Sequence, residues 1–177
     1  MSIDLLEVNG VKCSSIASGI KKKNDLDLSL ISLIEGTQTA AVFTQNIFCA
    51  APVTVAKNHL NSNVKALIIN SGNANAGTGQ KGLEICLKTC EIFAGKLGIE
   101  SDQILPFSTG VIGELLPLDP FEKNTKKLVD GLSSSNMSMV AKGILTTDLV
   151  EKYYSKTFEF DGKVVTLSGV AKGSGMI

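Results

Sequence analysis

The sequence contains no tryptophan, and all 17 of its basic residues are lysine. Without arginine, any carboxylate or phosphate is held by ammonium groups, backbone N–H groups or hydroxyls, and not by a bidentate guanidinium fork. There is one histidine, His59, and the four cysteines stand at positions 13, 49, 86 and 90. That set contains no Cys/His spacing of structural-zinc type, so no metal is expected. His59 lies in the polar stretch Lys57-Asn-His-Leu-Asn and reads as a surface residue. Net charge is zero, against the clustered basic surplus of a general nucleic-acid binder. No apolar run reaches the roughly 18 residues of a membrane-spanning helix. The start, Met1-Ser-Ile-Asp-Leu-Leu-Glu, has acids where a secretory signal has bases. The expectation is a cytoplasmic protein with reduced thiols and neither nucleic acid nor membrane as partner.

What is present describes a folded chain. Of 177 residues, 44% are hydrophobic and 19% charged, which excludes a disordered polymer. Area scaling gives roughly 8,200 Å² exposed when folded, enough burial for one domain with a real core. Strands are predicted at 38–44, 51–57 and 64–70, the last nearly continuously apolar, as a strand buried on both faces is. The run Asn70-Ser-Gly-Asn-Ala-Asn-Ala-Gly-Thr-Gly79 predicts a loop with positive φ angles. Apolar spacing of three and four residues predicts a helix over 81–97, with Cys86 and Cys90 in its buried stripe. A short strand over 104–107 is expected to end in a Ser108-Thr-Gly turn. Asp119-Pro-Phe-Glu reads as a capped helix start running to about Gly131, and a further helix is predicted over 136–144. Asp161-Gly162 between 153–160 and 163–170 predicts a hairpin with a type I′ turn. The chain then stops at Lys172-Gly-Ser-Gly-Met-Ile177, which reads as unfinished.

Several patterns invite chemistry. Gly77-Thr-Gly-Gln-Lys-Gly82 satisfies G-x-G-x-x-G before a helix, but seven residues separate the predicted strand end from it, against the tight turn of a dinucleotide site. A structural or substrate-facing loop fits better, and a nucleotide-binding α/β domain using Gly77–Gly82 is the alternative reading. Cys86 and Cys90 read as core thiols. In Ser108-Thr-Gly-Val-Ile-Gly113, a Thr hydroxyl beside a Gly N–H can aim two donors at one point, as a developing oxyanion requires, although the hexapeptide alone reads better as a plain glycine turn. Thr146-Thr-Asp148 reads as a helix end and turn, and Lys172 as either a carboxylate anchor or a solvated side chain.

Taken in order, Ala40-Ala-Val-Phe-Thr-Gln-Asn46, Ala50-Ala-Pro-Val53, Asn70-Ser-Gly-Asn-Ala-Asn-Ala76, Ser108-Thr-Gly-Val-Ile-Gly113, Thr146-Thr-Asp148 and Ala171-Lys-Gly-Ser-Gly-Met-Ile177 span essentially the whole chain. This series resembles the N-terminal half of the ornithine acetyltransferase (glutamate N-acetyltransferase, bifunctional arginine-biosynthesis) family. Gly77 and Leu145 depart from it, the family usually having Cys and Met there. The resemblance implies a layered α/β sandwich similar to N-terminal-nucleophile hydrolases, with residues 1–177 forming the α-chain portion of one domain that a second chain completes. It implies a precursor cleaving itself at an Ala-Thr bond just beyond Ile177, the freed Thr of the β chain being the nucleophile. By position Thr109 and Gly110 match the oxyanion pair, and Thr146 and Lys172 match substrate-binding positions. The implied reaction is ping-pong transfer of acetyl from N-acetylornithine to glutamate by an α2β2 enzyme without cofactor. Use of acetyl-CoA as a further acetyl donor varies within the family and is not decided by these residues. A non-catalytic subunit completing another chain's sheet is the third reading.

Overall fold

The computed structural model describes residues 5–175. Met176 and Ile177, the last residues of the C-terminal motif, and Met1–Asp4 lie outside the described residues. A four-stranded sheet is built from β1 (Val11–Ile16), β2 (Leu28–Leu33), β3 (Ala66–Asn73) and β4 (Ile104–Val111) in that spatial order. The first two pairings are antiparallel and β3–β4 is parallel, so a crossover is required between them. Helix α2 (Gly79–Leu97) supplies it.

Alternation along the strands separates two faces. On the first, Leu28, Leu30, Ala66, Ile68 and Ile104 pack with Cys86, Cys90 and Phe93 of α2 and with Phe121 and Leu128 of α3 (Asp119–Asp130). Each of these large side chains is worth about 1.5–3 kcal/mol when fully buried, so this face is the main source of stability. On the second face, α4 (Met137–Gly143) covers the β1 end, with Val140 and Ile144 against Cys13. The Ser71 hydroxyl bonds the Gly143 carbonyl at 2.5 Å there. The remaining part of that face, around Ile31, Leu67, Ile69 and Phe107, is only partly covered and lines a cavity of about 620 Å³. Burial of β3 on both faces is therefore incomplete within this chain.

Helix α1 (Ala51–His59) replaces the strand predicted at 51–57. Val53, Thr54 and Val55 carry β propensity locally, but Pro52 fits a helical first turn, and burial of Pro52, Val55, Ala56 and His59 follows a helical period. Residues 38–44 form an extended, largely exposed loop instead of a strand. His59 is buried, not on the surface: its Nδ1–H donates to the Ile104 carbonyl at 2.8 Å and ties α1 to β4. Helix α3 starts as predicted, but its N-cap is Leu118 without a side-chain cap, and Asp119 instead pairs with Lys123 at 2.8 Å. The hairpin of β5 (Lys152–Phe160) and β6 (Lys163–Ala171) is confirmed, with positive φ at both Asp161 and Gly162 as a type I′ turn demands. Ser155 and Ser168 bond each other across it at 2.7 Å and hold the backbone of Leu6.

The chain exposes 10105 Å², well above the roughly 8,200 Å² of a compact monomer of this mass. Much of the excess is apolar, including Val42, Ile47, Phe48, Ile112, Phe160 and Val164. Among the described residues no helix is long and apolar enough to cross a membrane.

Burial raises the thiol pKa of Cys86, raises that of Cys90 to about 12 and that of Cys13 to about 11, whereas Cys49 is only half-buried. Timed alkylation of native protein followed by peptide mass spectrometry is predicted to leave Cys13, Cys86 and Cys90 unmodified until the fold is disrupted. Fast labelling of Cys86 or Cys90 in native protein contradicts this packing.

Candidate active site

Strand β4 does not stop at Phe107. It continues through Ser108, Thr109 and Gly110, paired in register with Asn70, Ser71 and Gly72 of β3. The predicted Ser-Thr-Gly turn is thus a strand, and the predicted Asn/Gly loop is a strand up to Asn73. What keeps these polar ends paired is a ladder of buried asparagines. Ser108 Oγ donates to Asn70 Oδ1 at 2.6 Å, and Asn70 Nδ2 to the Asn73 carbonyl at 2.8 Å. Asn73 Oδ1 receives the Asn75 N–H at 2.7 Å, while Asn75 Nδ2 reaches the Gly82 carbonyl at 3.0 Å. The pairing continues past the strand ends, where Ala74 N bonds the Val111 carbonyl and Gly113 N the Ala76 carbonyl, both at 2.8 Å. Orphaning any one of these buried groups costs about 1–3 kcal/mol, so the segment tolerates little rearrangement.

The pairing brings two backbones unusually close. Gly110 has φ +139°, and a Cβ there would lie 2.3 Å from the Gly72 carbonyl carbon and 2.5 Å from Asn73 N. Only glycine fits. Thr109 precedes it on the second face, at the wall of the 620 Å³ cavity with Phe43, Leu105, Phe107 and Lys172. Lys172 Nζ donates to Thr109 Oγ1 at 3.1 Å, joining residues 63 positions apart. Lys172 and Thr109 therefore meet, with Gly110 next to Thr109 along β4.

Thr146 joins them indirectly, through a residue for which sequence reasoning assigned no role. The Asp148 carboxylate, whose side chain has no exposed surface, accepts from Lys152 Nζ at 2.5 Å, Gly173 N at 2.6 Å and Thr146 N at 3.4 Å. These bonds, Lys152 first and Gly173 next, hold its pKa well below the usual carboxylate range. The available signal was an Asp two residues after a Thr past a helix end, a side chain able to accept from nearby backbone.

The Gly77–Gly82 segment serves a different purpose from a phosphate cradle. Thr78 Oγ1 donates to Asn75 Oδ1 at 3.1 Å, and a Cβ at Gly82 would lie 1.8 Å from Thr78 Oγ1. Gly82 thus lets α2 close onto the asparagine ladder. Among the described residues no group of three or more His, Cys, Asp or Glu side chains is placed to hold a metal ion.

The sequence profile of the ArgJ family matches residues 12–177. The chain belongs to the ArgJ family. It is 46% identical over 175 residues to the arginine biosynthesis bifunctional protein ArgJ of Methylococcus capsulatus, covering 99% of this chain and 43% of that protein. To the protein of the same name from Pseudomonas syringae pv. tomato it is 43% identical over 96% of this chain and 42% of the relative. The chain thus spans less than half the length of these ArgJ relatives. In structure it is similar to a crystallised ArgJ chain from Bacillus halodurans, with a TM-score of 0.88, 34% identity and coverage of 100% of this chain and 97% of that one. It is also similar to ornithine acetyltransferase from Mycobacterium tuberculosis complexed with ornithine, with a TM-score of 0.83, 31% identity and coverage of 96% and 91%.

The Asp148 geometry sets a pH dependence. A carboxylate whose folded pKa lies below its ordinary value of 3.8 adds stability that is fully present above that value and is lost as pH falls through the folded pKa. Melting curves of wild type and Asp148→Asn are therefore predicted to differ most above pH 3.8 and to converge under stronger acid. A gap independent of pH contradicts the assignment.

Proposed function

We propose that this chain is the α subunit of a glutamate N-acetyltransferase, which moves acetyl from N-acetylornithine to glutamate in arginine biosynthesis. The carrying observation is the 3.1 Å bond from Lys172 to Thr109, beside Gly110 on a strand end that the asparagine ladder immobilises. Relatives named as arginine-biosynthesis proteins, and an ornithine-bound structure among them, support the substrate class.

The nucleophile in this reading is the N-terminal Thr of a second chain released from the same precursor. The crystallised Bacillus relative is matched over nearly its whole length and the Methylococcus protein over 43%, which supports a protein that exists as two chains. The surplus apolar surface and the half-covered sheet face support a core shared with that chain.

The Thr hydroxyl attacks the acetyl carbonyl of N-acetylornithine and its proton passes to a base, for which the freed α-amino group is placed by connectivity. Negative charge on the carbonyl oxygen is stabilised by the Thr109 hydroxyl and the Gly110 N–H. The Lys172 ammonium, bonded to Thr109 Oγ1 in this chain, meets the amino-acid part of the substrate with its charge. Thr146 adds polar contact. Collapse of the tetrahedral species expels ornithine, whose amine takes the proton, and leaves an acetyl-threonine ester. The glutamate amine then attacks that ester through the same oxyanion site, the bond from the Thr oxygen to the acetyl carbon breaks, the amine's proton returns by way of the base to that oxygen, and N-acetylglutamate departs. No cofactor is needed; acetyl-CoA would enter as a substrate. The enzyme in this reading is a cytoplasmic α2β2 assembly.

Co-expression of this chain with its downstream segment tests the reading. Thr109→Ala is predicted to lower kcat about 10²–10³-fold, and the 177-residue chain alone is predicted to be inactive. Unchanged turnover in the variant removes the oxyanion assignment, and activity without a second chain overturns the proposal.

A further inference from the structure

We propose that Asp148 is a positioning residue for substrate binding: its carboxylate fixes the backbones of Thr146 and Gly173 in one frame and thereby sets Lys172 against Thr109. This inference rests on the acetyl-transfer reading above.

Two stretches of chain, 146–152 and the segment at Gly173, meet on this one anion. Thr146 belongs to the turn after α4, Lys152 opens β5, and Gly173 follows the end of β6. In sequence the turn carrying Thr146 and the segment carrying Lys172 are separated by the whole hairpin; Val170 packs in the cluster that holds Ile144, and Asp148 bonds both segments directly. A carboxylate withdrawn from water is stable only when its oxygens receive strong donors, and charge-assisted bonds are both short and directional. Here the bond to Gly173 N is 2.6 Å, one residue from Lys172.

The division of labour between the two lysines is the telling point. Lys152 bonds the carboxylate at 2.5 Å and supplies the counter-charge, while the ammonium of Lys172 is turned to Thr109 Oγ1 at 3.1 Å. Asp148 therefore orders Lys172 through the backbone of its neighbour Gly173 and pairs with the ammonium of Lys152. The proposed function assigns the Lys172 ammonium to substrate. A binding lysine that is not held in advance must be ordered when substrate arrives, so loosening this frame is felt in substrate affinity.

The test uses the processed two-chain enzyme made from the full precursor, assayed with N-acetylornithine as donor and glutamate as acceptor. Asp148→Asn is nearly isosteric but loses the charge and presents an amide N–H₂ in place of one acceptor oxygen. It is predicted to raise KM for N-acetylornithine at least about tenfold while kcat per folded molecule stays within about threefold. Lys152→Met removes the counter-charge but leaves both backbone bonds, and its KM is predicted to rise less than that of Asp148→Asn. If Asp148→Asn yields too little folded enzyme, Asp148→Glu, which displaces the carboxylate by one methylene, is read in the same way. Wild-type KM in the Asp148 variant overturns the proposal. So does a fall in kcat at unchanged KM, which is what a merely structural residue produces through loss of folded enzyme, and so does a Lys152→Met defect as large as that of Asp148→Asn. A wild-type precursor without transfer activity overturns the function itself, whereas an active wild type with an unaffected Asp148 variant overturns only the positioning role.

Discussion

The backbones of β3 and β4 stay paired through their polar ends as far as Asn73 and Val111, and the close contact between Gly72 and Gly110 is what permits it. Everything at the site depends on that approach. It carries Thr109 and Gly110 out of the apolar part of the sheet while keeping them on rigid backbone, and it needs the buried amides of Asn70, Asn73 and Asn75 to absorb the polar groups that the strands no longer satisfy among themselves. A donor pair on a free loop would have to be ordered at each turnover. On this strand end the ordering has been done by folding, which is the condition for electrostatic stabilisation of a transition state.

The second organising contact is ionic. Asp148 gathers the turn after α4, the first residue of β5 and the segment after β6. The hairpin makes few contacts elsewhere, apart from α4 and the Leu6 backbone held by Ser155 and Ser168. Covalent connectivity delivers Lys172 to the neighbourhood of Thr109, and Asp148 fixes where in that neighbourhood it sits. The surface ion pairs of α3, Asp119 with Lys123 and Lys126 with Asp130, have no such consequence, being exposed and worth about 0–1 kcal/mol each.

How much of this was legible in the sequence depended on whether local signals and tertiary context agreed. Helix α2 was readable because its apolar stripe runs at helical spacing, and its left-handed cap at Gly98 agrees with where that stripe stops. The hairpin was readable because Asp-Gly suits one turn type. Helix α1 was misread because Val53-Thr54-Val55 favours a strand locally, and the decisive facts, Pro52 in the first turn and burial against β4, are positional. Strands β1 and β2 escaped notice because Ser15 and Ser29 look like solvent-facing residues, yet they satisfy each other at 2.6 Å inside the protein. Thr109, Gly110, Thr146 and Lys172 were singled out by resemblance, and the structure adds the bond between Lys172 and Thr109. Asp148 stood in plain view within one of the motifs, but its partners at 152 and 173 are fixed by the hairpin fold, which no spacing in the sequence displays.

The central claim is that this chain supplies the charge-stabilising half of a reaction whose nucleophile lies on another chain. The most direct measurement is intact-mass analysis of both chains of the processed protein after incubation with N-acetylornithine and no acceptor. The account predicts one acetyl group on the N-terminal Thr of the downstream chain, none on the 177-residue chain, and its loss on adding glutamate. An acetyl group on this chain, or none on either, would contradict it.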